Sequence, residues 1–72
     1  MKEVAIGTEY IALGQFLKLS DCIDSGGQAK FFLQENEILI NGEADNRRGR
    51  KLYAGDVVKV EGFGTFTVVR RG

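Results

Sequence analysis

The chain has 72 residues, with ten Lys and Arg against ten Asp and Glu, no His, no Pro and one Cys. That length makes one domain, residues 1–72, with little room for a deep enclosed cavity, and a 43% apolar share is that of a folded globular chain and argues against disorder. The zero net charge hides a division: residues 1–45 carry three Lys against eight acids, for −5, and residues 46–72 carry seven Lys and Arg against two acids, for +5, so a strong local field is expected.

Val4 and Ile6 alternate with Glu3 and Ala5, and Ile11 and Leu13 with Tyr10 and Ala12. Both stretches read as short strands or extended arms of period two. Gly14 precedes a short helix, Gln15 to Leu19, with Phe16 and Leu17 turned inward and Lys18 facing water. Asp24 to Gln28 reads as a second helix start: Ser25 is a good N-cap, and Gln28 sits three residues on, as a capping box requires. Ala29, Phe32 and Leu33 then fall at i, i+3 and i+4 and form one apolar stripe, with Lys30 and Gln34 on another face and Asn36 at the end.

Ile38 to Ile40 reads as a strand, and Asn41-Gly42 is the strongest hairpin signal in the chain, because both residues tolerate positive φ. The return strand begins near Glu43 and is interrupted by a basic loop at about 45–50. Lys51 to Tyr53 resumes extended structure, Ala54-Gly55-Asp56 turns, and Val57 to Glu61 is another strand. After a turn at Gly62-Phe63-Gly64, Thr65 to Val69 closes the sheet with Phe66 and Val68 on one face. The pattern predicts an α+β domain: two short helices packed on a small antiparallel sheet of four to five strands.

One Cys permits no internal disulfide, which points to a reducing, cytoplasmic setting. No apolar run approaches the ~18 residues of a membrane span, and Met1 to Gly7 has no signal-peptide pattern. No membrane contact is expected, and nothing suggests a dimer seam, so the expected state is a monomer.

The densest feature is Asn46-Arg47-Arg48-Gly49-Arg50-Lys51. Four cations this close repel one another unless an anion sits among them, and the planar fork of Arg fits a phosphate. Arg47, Arg48, Arg50 and Lys51 read as a phosphate clamp, with Gly49 allowing a tight bend. The plainer reading is a solvated hairpin tip whose charges offset Glu43, Asp45 and Asp56. The second candidate is Ser25-Gly26-Gly27-Gln28-Ala29-Lys30, where free amides at a helix start carry partial positive charge. Gly26 and Gly27 remove side chains that would block approach, and Lys30 adds a full charge; the plainer reading is a flexible turn and an ordinary cap. Lys18 would share that surface if the helices pack side by side, and is otherwise a solvent-facing lysine.

Phe31 lies off the apolar stripe and is expected to pack under a neighbouring loop, the alternative being a base-stacking platform. Tyr53 carries the same ambiguity, and Phe63 is expected to plug the end of the sheet. Catalysis finds no support: His is absent, Cys22 has no imidazole to activate it, and one Cys without His cannot build a zinc site. No enzyme activity, metal or cofactor is expected, and Cys22 reads as a small buried hydrophobe.

Leu13 to Leu19, Ser25 to Lys30, Ile38 to Gly42 and Gly55-Asp56-Val57-Val58 together resemble the RNA-binding domain named after the fourth protein of the small ribosomal subunit, also called the alpha-L motif. The likeness covers about residues 11–61 and is nearest to the stand-alone bacterial YaaA-like and YbcJ-like members. It implies an RNA-facing surface made by the two helices, with Lys18, Ser25, Gly26, Gly27, Gln28 and Lys30, and by the loop, with Arg47, Arg48, Arg50 and Lys51. The chain departs from the family at Gly26, where Arg or Lys commonly follows the Ser, and the basic loop is expected to make up that charge. With no appended catalytic domain, no enzyme activity is inherited.

Residues and resemblance converge on a non-catalytic binder of structured RNA, ribosomal RNA above all, acting in ribosome assembly or translation. The alternative is a ubiquitin-like or sulfur-carrier β-grasp protein acting through its C-terminal Gly72; its tail has one Gly rather than the usual pair, and two adjacent helices before the hairpin fit that fold poorly. A weaker reading is an adaptor that uses the basic loop on an acidic protein.

Overall fold

Alternate residues of four strands point the same way: Val4 and Ile6, Ile38 and Ile40, Val58 and Val60, Phe66 and Val68 are all buried. A slip of one residue in any of these strands would expose its whole apolar set. The computed structural model describes residues 1–71. Its elements are β1 (Lys2–Ile6), β2 (Tyr10–Ala12), α1 (Leu13–Leu19), a 3-10 turn (Gly26–Gln28) running into α2 (Ala29–Glu35), β3 (Ile38–Ile40), β4 (Glu43–Ala44), β5 (Lys51–Tyr53), β6 (Val57–Val60) and β7 (Gly64–Arg70). No described helix is long and apolar enough to cross a membrane.

The expected α+β architecture holds, with two corrections to the sheet. Its five strands run in the order β1-β7-β6-β3-β4, and they are not all antiparallel. β1 lies parallel to β7, with Val4 opposite Val68, so the N-terminal arm is a full edge strand. Strand β5 leaves the hairpin and pairs instead with β2 in a separate two-stranded sheet, Tyr10 opposite Tyr53 and Ile11 opposite Leu52.

Leu13, Phe16 and Leu17 of α1 join Ala29 and Leu33 of α2, Ile23 and Leu52 in one core with the sheet residues. Burying a side chain of this size contributes about 1.5–3 kcal/mol. Phe16 is fully buried and stands edge-on to Phe66, with centroids 5.9 Å apart. Phe32 is half-buried against the core, and Phe63, expected to plug the end of the sheet, packs on it at 5.4 Å but stays 44% exposed. Cys22 is half-buried rather than buried, and packs on the same core. Phe31 departs from expectation: it is 67% exposed, because the 3.6-residue period turns it away from the Ala29–Leu33 stripe and no loop folds over it.

Helix α1 begins at Leu13, ahead of the expected start, and its N-cap Ala12 has no side chain able to cap it. The caps come from the basic loop. Leu13 N–H donates to the Arg50 carbonyl at 2.8 Å, and Gly14 N–H donates to the Arg48 carbonyl at 2.9 Å. Orphan amides of a helix start need such partners, and here they fix the loop to the helix. Gly14 is buried at this junction: a Cβ there would lie 3.5 Å from Ala29 Cβ and 3.6 Å from the Arg48 oxygen.

The hairpin turn has both residues at positive φ, Asn41 at 52° and Gly42 at 87°. Asn41 also reaches a second turn. Its Nδ2 donates to Asp56 Oδ1 at 3.1 Å, its Oδ1 accepts from Val57 N–H at 2.9 Å, and Asp56 Oδ2 accepts from Tyr53 N–H at 2.8 Å. One polar clasp thus ties the β3–β4 turn to the β5–β6 turn and fixes the backbone of Tyr53.

Candidate nucleic-acid interface

The loop joining β4 to β5 is organised from inside by Asp45. Its backbone N–H donates to the Ile38 carbonyl at 3.1 Å, and its side chain keeps only 10% exposure. The carboxylate accepts from the Arg47 amide at 2.9 Å, from Arg47 Nε at 3.1 Å and Nη2 at 2.8 Å, and from Arg50 Nη1 at 3.0 Å. Arg50 N–H closes the turn onto the Arg47 carbonyl at 3.2 Å. The Arg47 hydrogen bonds, side chain first, hold the Asp45 carboxyl far below the usual carboxylate range, and Asp45 in turn raises Arg47.

The solvated-tip reading is therefore half right. Asp45 does offset charge, but it also holds two guanidinium groups in fixed positions. Glu43 and Asp56 make no ion pair among the described residues. Four cations against one acid leave residues 45–51 at +3.

Arg48 has no carboxylate partner among the described residues. Together with Lys30, Leu33, Gln34 and Asn46 it lines a hollow of about 270 Å³. The loop thus meets α2 at Lys30, Leu33 and Gln34, while Ser25, Gly26, Gly27 and Gln28 at the helix start do not line this hollow. On the other flank of the loop, Arg47, Gly49, Arg50, Lys51, Tyr53 and Asp56 line a hollow of about 610 Å³. Lys51 holds its Nζ 4.8 Å from the centroid of the Tyr10 ring.

At the start of α2, Gln28 folds back as expected: its Oε1 accepts from the Asp24 and Ser25 amides at 2.7 and 3.1 Å. Ser25, Gly26 and Gly27 are exposed. A Cβ on Gly26 would meet nothing within 4 Å, and one on Gly27 would meet only Ser25 Oγ at 3.9 Å. Neither glycine is required by packing or by a positive φ. Lys18 is exposed in the last turn of α1, four residues on from Gly14. It lies on the flank and lines neither hollow.

Acidic surfaces bound this basic one. Glu35, Glu37 and Glu61 line a hollow of about 590 Å³ that also takes in Asp45. Phe31 shares its hollow with Asp24 and Glu35, surroundings that repel a phosphate chain and weigh against base stacking there. Sequence reasoning missed Asp45 as the organiser and Tyr10 as a neighbour of the loop. The Asp45-to-Arg47 spacing is that of an Asx turn and was a usable signal. Tyr10 gave none, since only the β2–β5 pairing brings it near. The β-grasp alternative rests on Gly72, which lies outside the described residues.

The sequence model of the S4 domain matches residues 4–69. The chain is 68% identical over 66 residues to a Bacillus subtilis (strain 168) protein named "Probable ribosome maturation protein RlbA", covering 92% of this chain and 93% of that one. It is 32% identical over 53 residues to the "Putative RNA-binding protein YbcJ" of Escherichia coli (strain K12), covering 74% and 76%.

Proposed function

This chain belongs to the S4 domain family, and on that premise we propose that it is a non-catalytic binder of structured RNA, acting as a cytoplasmic monomer on ribosomal RNA or a ribosomal particle during ribosome maturation. The observation that carries the reading is the convergence of Arg48 and Lys30 on one hollow, beside Arg47 and Arg50 held in place by Asp45. The names of the relatives, ribosome maturation for one and RNA binding for the other, agree with it.

A-form RNA hides its base edges in a deep, narrow groove, so a small rigid domain grips backbone and 2′-hydroxyls. Arg48 and Lys30 take one stretch of phosphates, and Arg47, Arg50 and Lys51 take the adjoining one. Ser25, the amides of Gly26 and Gly27, and Lys18 extend the contact along the helices, and Gln28 serves by capping the helix start. The loop at +3 and Lys30 at +1 neutralise about four phosphates, which predicts a log–log salt slope of about −3 to −4.

The test is binding of a structured ribosomal RNA fragment to the full chain across a series of KCl concentrations. A slope near zero, or binding unaffected by Arg48→Ala together with Lys30→Ala, would overturn the reading.

A further inference from the structure

The chain contains two Tyr and no Trp, and the β2–β5 register sets the two Tyr directly opposite each other. Ile11 and Leu52, the next pair along, turn toward the core, so the pleat turns Tyr10 and Tyr53 outward. They remain 44% and 45% exposed, with ring centroids 5.9 Å apart and planes tilted by 48°. A cross-strand aromatic pair helps a short two-stranded sheet to hold, and that plain role covers Tyr10. Lys51 already sits over the Tyr10 ring at 4.8 Å.

Tyr53 has a different setting. It lines the hollow of about 610 Å³ together with Arg47, Arg50 and Lys51. Gly49, on the same wall, presents no side chain. The Tyr53 backbone is held from both sides by Asp56, whose Oδ2 accepts the Tyr53 N–H and whose N–H donates to the Tyr53 carbonyl at 3.0 Å. A half-exposed ring on a fixed backbone, with Tyr10 beside it, in a hollow lined by three cations and by one acid, Asp56, whose carboxylate is already held by the Tyr53 amide and Asn41, matches the two parts of a nucleotide: a flat apolar base and an anionic phosphate.

We infer that Tyr53 is a stacking platform for one unpaired nucleobase, with Arg47, Arg50 and Lys51 holding the phosphates on either side of it. The inference rests on the RNA reading above and adds the class of RNA selected: one with a bulge, loop or junction next to a helix, in preference to an unbroken duplex. Stacking tolerates any base, since every base has a π-face, so the preference is for an unpaired nucleotide and not for a sequence. An aromatic–base stack is worth about 1–3 kcal/mol, or about 5- to 150-fold in affinity.

The tyrosine emission of this Trp-free chain reports on this cluster alone. Two RNA hairpins are titrated into the full chain, one with an unbroken stem and one with a single unpaired adenosine in the same stem. The expected result is about 5- to 150-fold tighter binding of the bulged RNA, with quenching of the emission that the unbroken stem does not produce. Tyr53→Leu brings the bulged RNA down to the affinity of the unbroken one, and Tyr53→Phe keeps the preference. Equal affinity and equal quenching for both RNAs would overturn this inference while leaving the RNA reading standing. So would an equal loss for both RNAs in Tyr53→Leu, which would make Tyr53 a brace for the loop. A protein that binds neither RNA overturns the RNA reading and this inference with it.

Discussion

Asp45→Asn sets two effects of opposite sign against each other. It removes one negative charge from the loop, so residues 45–51 go from +3 to +4. If charge alone governed binding, one more phosphate would be neutralised. The salt slope would steepen by about 0.9, and affinity at 0.1 M salt would rise up to about eightfold, or ~1.2 kcal/mol. The same substitution strips the anion that holds Arg47 and Arg50 in position. Each released guanidinium must then be ordered again when RNA binds, at a side-chain entropy cost of up to about 1.5–2 kcal/mol. The two together cost up to about 4 kcal/mol, and even half of that exceeds the charge gain. The expected outcome is RNA binding about 4- to 100-fold weaker in Asp45→Asn, read by fluorescence anisotropy of a labelled RNA hairpin at several KCl concentrations. Tighter binding with a steeper slope would refute the argument that the loop works by being pre-ordered.

Three further outcomes follow from the same geometry. The Asp45 carboxyl is held far below its unfolded value, so what it contributes is complete above the ordinary carboxylate range and is lost only as pH falls through the lowered value; RNA affinity should be flat from pH 8 to 5, and a decline with its midpoint inside that window would contradict the Arg47 and Arg50 pairing. Gly26→Arg places a cation where no atom crowds it, so RNA binding should tighten several-fold and the salt slope should steepen by about 0.9, with no loss of melting temperature; weaker binding would move the interface away from the start of α2. Phe16→Ala empties the centre of the core at a cost of about 3–5 kcal/mol, comparable to the whole stability of a domain this small; far-UV circular dichroism at 25 °C should find the variant largely unfolded.

Much of the fold was legible because its signals are local. Asn41-Gly42 carries its own backbone preference, and both residues sit at positive φ. The Ala29 and Leu33 spacing identified the buried side of α2, and Phe66 and Val68 identified the inner face of the last strand. What stayed hidden depends on partners distant in sequence. Helix α1 has no capping side chain of its own, so its start at Leu13 carried no mark; the caps are main-chain oxygens of Arg48 and Arg50. A three-residue strand such as Lys51 to Tyr53 gives no clue to its partner, and only the folded chain pairs it with β2. In the candidate interface, the cations were evident from their density. The carboxylate that arranges them looked like background charge, because its burial comes from the turn it creates.

The pairing of β1 with β7 has a consequence for how the molecule is made. Lys2 lies beside Phe66 and Ile6 beside Arg70, so during synthesis β1 waits for a partner that lies far along the chain. At about 5–20 residues per second that wait is about 3–13 s. Meanwhile Val4 and Ile6 have no β7 to lie against, and the outer edge of the sheet stays open. Local helices and the β3–β4 hairpin form long before then. Closing the edge should therefore be the slow, final event of folding, and a nascent chain stalled short of Phe66 should offer Val4 and Ile6 to chaperones that a released chain no longer engages.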